Sequence, residues 1–348
     1  MISSLTPQLV CSIEHASDVA AARREGQRLA DSLGFDEIRA GKLALIVTEA
    51  ATNILKHADR GVMHIGPAQS SAGVGIDVLA LDEGPGIADL AASLVDGVST
   101  AGTAGTGLGA MRRQADEFDV YSQPGKGSAF FMRLWSIAPA PDACGVDVGA
   151  LMTPLAGEDE CGDGWAVRCE DGAATLMASD GLGHGPNAAH ASAMAIGVLD
   201  QPARTSTAAA AVQEAHEALR GTRGAALAVA RIDFANSELR FAGIGNIAGY
   251  VYDDTRRALV SHNGIVGHNM RKVQEFSVPF PPGAICILHS DGIQTQWDLD
   301  KYPGLQGRSP ALIAAVLMRD FIRRRDDAMV LVVRRLYHGT AHRVGAAG

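Results

Sequence analysis

Two segments with helical periodicity open the chain, and short strand-like segments follow them. Apolar residues at helical spacing predict a helix over 18–33, with Asp18 as a cap at its start and Gly34 just past its end. The segment 36–58 repeats this spacing and predicts a second helix. Alternating or apolar runs bounded by turn residues predict the strands of this half, which are 62–65, 74–81, 118–122 and 129–135. A glycine-rich tract spans 97–109, and a further helical segment runs over 108–117.

The pattern changes after residues 136–145, which hold Ala, Pro, Asp and Gly without periodicity and are the predicted linker. Helical spacing then predicts three helices, over 186–199, 206–220 and 309–323. The strands predicted in this half are 146–155, 164–169, 173–179, 225–233, 238–242, 247–252, 284–289 and 328–336. Many short strands with few helices predict two packed sheets flanked by helices.

Length and composition narrow the possible classes. A chain of 348 residues suggests two domains, and 47% hydrophobic residues suffice for packed cores. The net charge of −9 argues against a nucleic-acid partner, because binding phosphates needs a concentrated positive surface. The basic run 323–325 is interpreted as a solvated helix end. The sequence contains no apolar stretch of about 20 residues, so no membrane span is expected. Five scattered cysteines without an export signal predict reduced thiols and a cytoplasmic location.

The first candidate site combines a helix, a strand end and a glycine-rich turn. Glu49 and Asn53 lie four residues apart and share one face of the second helix. Asp82 ends a predicted strand, and Gly84 and Gly86 follow it, which would let backbone approach a flat base. Backbone N–H groups at a helix start favour phosphates. The tract that opens the next helix is Gly105, Thr106, Gly107, Leu108 and Gly109.

This ordered set resembles the Bergerat-fold ATP-binding domain. Within that group, residues 1–135 resemble the serine kinases of bacterial partner switching, the anti-sigma-factor and RsbT types. The resemblance implies that ATP and Mg²⁺ bind here, with Asn53 as a Mg²⁺ ligand and Asp82 contacting adenine. It also implies that 97–109 forms the nucleotide lid and that Glu49 is the base that activates a protein hydroxyl.

The second candidate site is a set of aspartates at strand ends. Asp163, Asp180, Asp291 and Asp326 each follow or precede an apolar run, and two of them stand in Ser-Asp-Gly. One Asp-Gly pair is an ordinary turn, but four aspartates at strand ends favour a site. Converging carboxylates repel one another unless a cation neutralises them, and ligation by oxygen alone suits Mg²⁺ or Mn²⁺.

The order of these motifs resembles the SpoIIE and RsbX branch of the protein phosphatase 2C class. That resemblance implies two Mg²⁺ or Mn²⁺ ions, with Asp163 and Asp180 holding the pair and Asp180 bridging it as the catalytic carboxylate. The Gly181 carbonyl, Asp291 and Asp326 would complete the ligands. No arginine dedicated to the substrate phosphate is apparent, which leaves the metals to bind it.

The predicted fold class is α+β. An N-terminal Bergerat-type sandwich, with a mixed sheet and helices on one face, precedes an αββα phosphatase sandwich. The predicted domains are a kinase-like ATP-binding domain over 1–135, a linker over 136–145, a phosphatase domain over 146–338 and a disordered tail over 339–348.

The two resemblances together imply a bifunctional regulator of partner switching. The N-terminal domain would phosphorylate a serine or threonine of a STAS-domain antagonist, and the C-terminal domain would hydrolyse that phosphoester. The pathway would be of the sigma-factor or stressosome type, with no nucleic acid and no membrane involved. The resembled kinases include dimers and monomers, so a homodimer is one expectation. In the alternative, the N-terminal domain senses ATP or sequesters a partner without catalysis. A further rival is a phosphatase that acts on small phosphoesters or on a nucleotide second messenger.

Overall fold

The structure, a computed structural model, describes residues 2–4, 8–70, 73–93, 107–137, 144–201, 204–253, 255–270 and 272–337. The strands among these residues are β1 (Ile2–Ser4), β2 (Leu9–Ile13), β3 (Gly61–Ser70), β4 (Gly73–Asp82), β5 (Glu117–Ser122), β6 (Ser128–Trp135), β7 (Val146–Thr153), β8 (Asp163–Glu170), β9 (Ala173–Gly181), β10 (Ala225–Asp233), β11 (Glu238–Ile244), β12 (Ala248–Tyr252), β13 (Arg256–Leu259), β14 (Phe276–Pro279), β15 (Ile285–His289) and β16 (Ala328–Arg335). The helices are α1 (Ala16–Ser32), α2 (Glu37–Ala58), α3 (Leu90–Ser93), α4 (Gly107–Gln114), α5 (Pro186–Gly197), α6 (Ala208–Ala218) and α7 (Pro310–Phe321).

The described residues divide into two units. The N-terminal unit holds those within 8–137 together with 299–319, and the C-terminal unit holds 2–4, those within 144–298, and 320–337. The division departs from the predicted domain boundaries at two places. Residues 2–4 form a strand beside β8, and 299–319 group with the N-terminal unit.

The N-terminal unit is a five-stranded sheet in the order β2-β3-β4-β6-β5, with α1 and α2 packed together and against it. Its core joins the apolar stripe of α2, including Ile46 and Val47, to Ile65, Val78 and Met132 on the sheet. This is the burial that the helical spacing of α2 predicts.

The α+β class is confirmed, but the predicted mixed sheet of the N-terminal unit is wrong in detail. Each strand pair described in this sheet is antiparallel. The turn 123–127 makes β5 and β6 a hairpin, and β6 rather than β5 lies beside β4. Strand β5, which runs in the same direction as β4, therefore lies at the edge of the sheet and does not pair with β4.

The start of α1 also differs from the prediction. The helix begins at Ala16, and its N-cap is His15. Asp18 is the third residue of the helix. Asp18 caps it from inside the first turn, because its carboxylate accepts the N–H groups of Glu14 and His15 at 3.0 and 2.8 Å. This is a capping box, in which an acidic residue at the third helical position reaches back to the cap.

The C-terminal unit packs two antiparallel sheets face to face. One has the order β1-β8-β9-β10-β11-β14 and the other β13-β12-β15-β16-β7. Their facing side chains, such as Leu176, Phe241, Leu288 and Leu331, form one buried core. Helices α5 and α6 cover the outer face of the first sheet.

The prediction that every cysteine is a free thiol is wrong for one pair. Cys144, just before β7, and Cys169, on β8, form a disulfide. The two residues are 25 apart in sequence, and the fold brings their Cα atoms to 5.2 Å, within the usual range for a disulfide. None of the described helices is both long and apolar enough to span a membrane.

Candidate functional site

The N-terminal candidate site starts on α2 and ends at β4. Glu49 and Asn53 lie one turn apart on α2, and both are half-buried rather than solvent-facing. Asp82 is the last residue of β4, and only 8% of its surface is exposed. These residues are the predicted base, metal ligand and adenine contact, and the structure places all three in the same unit.

The backbone of this unit satisfies one oxygen of Asp82. Oδ1 accepts the N–H of Gly84 at 2.9 Å and that of Ser128 at 3.2 Å, and neither bond uses Oδ2. Burial raises the pKa of the Asp82 carboxyl, while these two bonds and the charges of Arg319 and His57 lower it. A carboxylate with one satisfied and one available oxygen suits a ligand that donates a single hydrogen bond, such as an exocyclic amine.

The glycines after Asp82 are required by protein neighbours. A Cβ on Gly84 would lie 2.7 Å from the Ala58 Cβ, and Gly86 has φ +70° with the Gln123 carbonyl oxygen 2.2 Å from where its Cβ would be. Contact of these glycines with a nucleotide stays a prediction. In the predicted lid, Gly105 and Thr106 lie outside the described residues, and the first turn of α4 contains Gly107, Leu108 and Gly109.

Sequence reasoning missed the role of residues 299–319 in this unit. The Asp119 carboxylate accepts the Ser309 N–H at 2.8 Å and binds the Arg308 guanidinium at 3.2 Å. Arg319 donates to the Asp82 backbone carbonyl at 3.1 Å. A segment that lies in the predicted phosphatase sequence therefore supports the strand end that carries Asp82. Its helical spacing predicts α7 but does not indicate the unit that α7 joins.

The second candidate site lies where four strands of the C-terminal unit end. Asp163 begins β8 and Asp180 stands one residue before the end of β9, and the two are directly opposite in the β8–β9 pair. Asp291 follows β15 and Asp326 precedes β16, and those strands are paired at the same end. Like charges directly opposite on paired strands destabilise a sheet unless something compensates them.

The aspartates perturb one another strongly. Burial, and then the charge of Asp180, raises the pKa of Asp163 well above its usual value. Burial, followed by the charges of Asp291 and Asp326, raises the pKa of Asp180 to about 7. Burial and Asp326 raise the pKa of Asp291. The four predicted carboxylates therefore form one electrostatic cluster.

The cluster suits divalent cations in its chemistry. The Asp163 Oδ2 atom is buried and has no hydrogen-bond partner. Each donor at these positions is a carboxylate or carbonyl oxygen, which Mg²⁺ and Mn²⁺ prefer. In the part of the chain that the structure describes, no three acidic, histidine or cysteine side chains are grouped so that they could hold a metal ion. The fit therefore rests on the unpaired oxygen and on the mutual repulsion.

Two neighbours hold the cluster in place. Asp327, 3% exposed, accepts the N–H of Leu155 at 2.8 Å and that of Gly162 at 2.9 Å, which fixes the backbone just before Asp163. The Asn246 side chain donates to Asp291 Oδ2 at 2.7 Å. No local sequence pattern indicates this contact.

Two further residues have structural contacts here. A Cβ on Gly181 would lie 2.2 Å from the Ala188 carbonyl oxygen, so α5 requires glycine at this position. The ligand role of its carbonyl stays a prediction. His184 Nδ1 lies 2.6 Å from Glu158 Oε1, and that pair is partly exposed.

Comparison with known proteins matches each half to a different family. Residues 14–133 match the histidine kinase-like ATPase domain, and 170–336 match stage II sporulation protein E, SpoIIE. The serine/threonine-protein kinase RsbT of Bacillus subtilis (strain 168) is 34% identical over 118 residues, which are 34% of this chain and 89% of RsbT. The chain belongs to the RsbT family through its N-terminal domain.

A phosphatase and a solved structure are also similar to this chain. The phosphoserine phosphatase RsbX of Bacillus subtilis (strain 168) is 22% identical over 139 residues, which are 39% of this chain and 69% of RsbX. A solved structure described as the bacterial stressosome, a modular system adapted to control secondary messenger signaling, has 29% identity and a TM-score of 0.51. It covers 54% of this chain and 99% of its own. The predicted fusion of an RsbT-type kinase-like domain with a SpoIIE- and RsbX-like domain is confirmed.

Proposed function

We propose that this chain adds phosphate to a serine or threonine of a STAS-domain partner and also removes it. The N-terminal domain would be the kinase and the C-terminal domain the phosphatase, so that one chain sets the phosphorylation level of one protein. The observation that carries the proposal is the fusion itself. An RsbT-family domain and an RsbX-like domain, two opposing activities in the named relatives, stand on a single chain.

The kinase step follows from the positions on α2 and β4. Asp82 would orient ATP through its available oxygen, and Asn53 would hold the Mg²⁺ that neutralises phosphate charge. Glu49 would accept the proton of the partner's hydroxyl. The oxygen of that hydroxyl would bond to the γ-phosphorus of ATP as ADP leaves. The half-buried setting of Glu49 favours this role over that of a solvated surface residue.

The phosphatase step depends on the aspartate cluster. Asp163, Asp180, Asp291, Asp326 and the Gly181 carbonyl would hold two Mg²⁺ or Mn²⁺ ions. When bound, such ions supply a water of lowered pKa and neutralise phosphate charge. The chain contributes the fixed geometry, because Asp327 holds the start of β8 and Asn246 holds Asp291.

The kinase test uses label transfer from ATP to a purified STAS-domain protein from the same organism. Asp180→Asn serves as the background, so that transferred label is not removed. Adding Glu49→Gln should lower the transfer rate by at least about 100-fold, because a general base is lost. Glu37→Gln, an exposed glutamate on the same helix, is the matched control and should change little. Unchanged transfer with Glu49→Gln would favour a nucleotide sensor or a sequestering domain.

The phosphatase test starts from the phosphorylated partner with Mn²⁺ and without ATP. Asp180→Asn should slow dephosphorylation by at least about 100-fold. Asp171→Asn, in the turn at the other end of the β8–β9 hairpin, is the matched control. Equal rates for wild type and Asp180→Asn would refute the metal assignment. Hydrolysis of small phosphoesters alone would favour the small-molecule rival.

A further inference from the structure

A polar cavity opens beside two of the aspartates of the C-terminal unit. Its volume is about 510 Å³, within the range of ordinary ligand sites. Asp291 and Asp326 form part of its wall, and its other lining residues are Gln294, Thr295, Gln296, Ile322, Arg323 and Arg325. The cavity therefore contains two cationic side chains next to the predicted metal ligands.

The turn that carries these arginines is anchored next to Asp291. Ile322 pairs with Ile293 in an isolated bridge, and the Arg323 N–H donates to the Gly292 carbonyl at 2.8 Å. Arg324 has a φ of 58°, an uncommon conformation for a residue other than glycine. Arg323 and Arg325 line the cavity across this bend, while Arg324 is not among the lining residues.

The two guanidinium groups make no direct polar contact, neither an ion pair nor a hydrogen bond, within the part of the chain that the structure describes. Arg323 is close enough to Asp291 to lower the pKa of that carboxyl. A solvated helix end would explain exposed arginines, but it does not explain why two of them line one cavity with the aspartate cluster. A guanidinium is suited to a doubly charged phosphate, which it can bind through two parallel hydrogen bonds.

We propose that Arg323 and Arg325 bind the phosphate of the phosphoserine or phosphothreonine substrate. The inference rests on the proposed phosphatase activity and revises the expectation that metals alone bind the phosphate. The phosphate would bind in this cavity, where the two guanidinium groups can donate hydrogen bonds to its oxygens. The arginines act as binding residues and take no part in proton transfer.

Matched single variants of one turn test this assignment. Arg323→Gln and Arg325→Gln should each raise KM for a phosphoserine peptide with neutral flanks by about 5- to 10-fold, with kcat within about twofold. Arg324→Gln removes the same charge from the same turn and should leave KM unchanged. Arg325→Lys should recover part of the loss, because it keeps the charge but not the paired hydrogen bonds.

A second measurement is independent of turnover. Inorganic phosphate is titrated calorimetrically into the Mg²⁺-loaded full chain, and Mg²⁺ affinity is measured separately without phosphate. The expected result is phosphate binding weakened about 5- to 10-fold in each cavity variant, with Mg²⁺ affinity unchanged. The proposal is overturned if Arg324→Gln weakens phosphate binding equally, if the cavity variants do not weaken it, or if they weaken Mg²⁺ binding to the same degree. A wild type that binds phosphate through these arginines but hydrolyses no phosphopeptide would refute the proposed activity and not this site.

Discussion

The two candidate sites each contain an aspartate at a strand end, but the two carboxylates have different surroundings. Asp82 is buried and Asp180 is half-buried. Burial raises the pKa of Asp82 in the N-terminal unit, and two backbone N–H groups and two basic side chains oppose that rise. Asp180 in the C-terminal unit experiences only influences that raise its pKa, and three of these are other aspartates. The protein partly compensates the charge of Asp82, whereas in the proposed function a bound cation would compensate Asp180.

This difference predicts that the carboxylates of the two sites have opposite effects on folding stability. The nucleotide-side carboxylate is part of the folded framework, so removing it should damage the fold. The phosphatase-side carboxylates oppose folding until a cation binds, so removing one should help the metal-free fold and abolish activity.

Metal binding should stabilise the C-terminal unit and leave the N-terminal unit nearly unchanged. Two ions, each at 100 times its dissociation constant, would add about 5 kcal/mol in total. Hydrogen exchange of the full chain in Mn²⁺ and in EDTA measures this, with β9 and β4 reporting on the two units. Asp163→Asn is the matched variant and should lose most of the gain. Equal protection of both strands by Mn²⁺ would contradict the comparison.

Acid should destabilise the N-terminal unit through His64. This side chain on β3 is fully buried, and burial lowers its pKa from 6.5 to about 4. The stability that neutral His64 allows is complete above pH 6.5 and is lost as the pH falls toward 4, by about 3 kcal/mol.

Urea unfolding followed on β3 at pH 7 and pH 4.5 checks the prediction for His64. His64→Leu should flatten the dependence on pH, while His57→Gln, which changes an exposed histidine of the same unit, should preserve it. If the free energy of unfolding of His64→Leu depends on pH as strongly as that of the wild type, another group is responsible for the loss of stability in acid.

Single substitutions at the two aspartates should have opposite signs. In EDTA, Asp180→Asn should stabilise the protein by about 2 kcal/mol, because it removes one of several repelling charges. Asp82→Ala should destabilise it by about 2 kcal/mol, because two backbone N–H groups lose their acceptor. Thermal unfolding of the metal-free proteins gives both values. Destabilisation by both substitutions would remove the distinction between the sites.

The smallest expected effect concerns residues 299–319. Asp119→Ala removes the acceptor of the Ser309 N–H and the partner of Arg308, and should cost the N-terminal unit about 1 kcal/mol. Asp31→Ala, at an exposed carboxylate on α1, is the control. Hydrogen exchange of α7 should rise in the first variant only. No change in α7 would show that Asp119 does not hold this segment.

The sequence predicts the elements that have strong periodicity or clear caps. The apolar stripe of α2 and the alternation in β4 were sufficient to place both elements to within one residue. Strand β1 was missed because three residues cannot show a period, and β14 because its four residues are mostly exposed. The pairing of the strands could not be predicted from the sequence, because tertiary packing decides that β6 and not β5 lies beside β4.

The candidate sites show the same limit. Asp163 and Asp180 were visible as Asp-Gly turns at strand ends, but only the register shows that they stand directly opposite each other. The basic run that contains Arg323 and Arg325 was interpreted as a solvated helix end, because sequence spacing does not show which side chains line a cavity. Asn246 and Asp327 act through hydrogen bonds to residues distant in sequence, which no local pattern encodes.

The central claim is that opposing activities act on one partner, and ATP consumption in one mixture tests it most directly. The full chain is combined with limiting STAS-domain partner, excess ATP, Mg²⁺ and Mn²⁺, and ADP release and partner phosphorylation are followed together. Wild type should keep releasing ADP after partner phosphorylation reaches a plateau, while Asp180→Asn should stop near one ADP per partner. Glu49→Gln should release almost none. ADP release that continues without the partner, or a wild type that stops after one equivalent, would contradict the account.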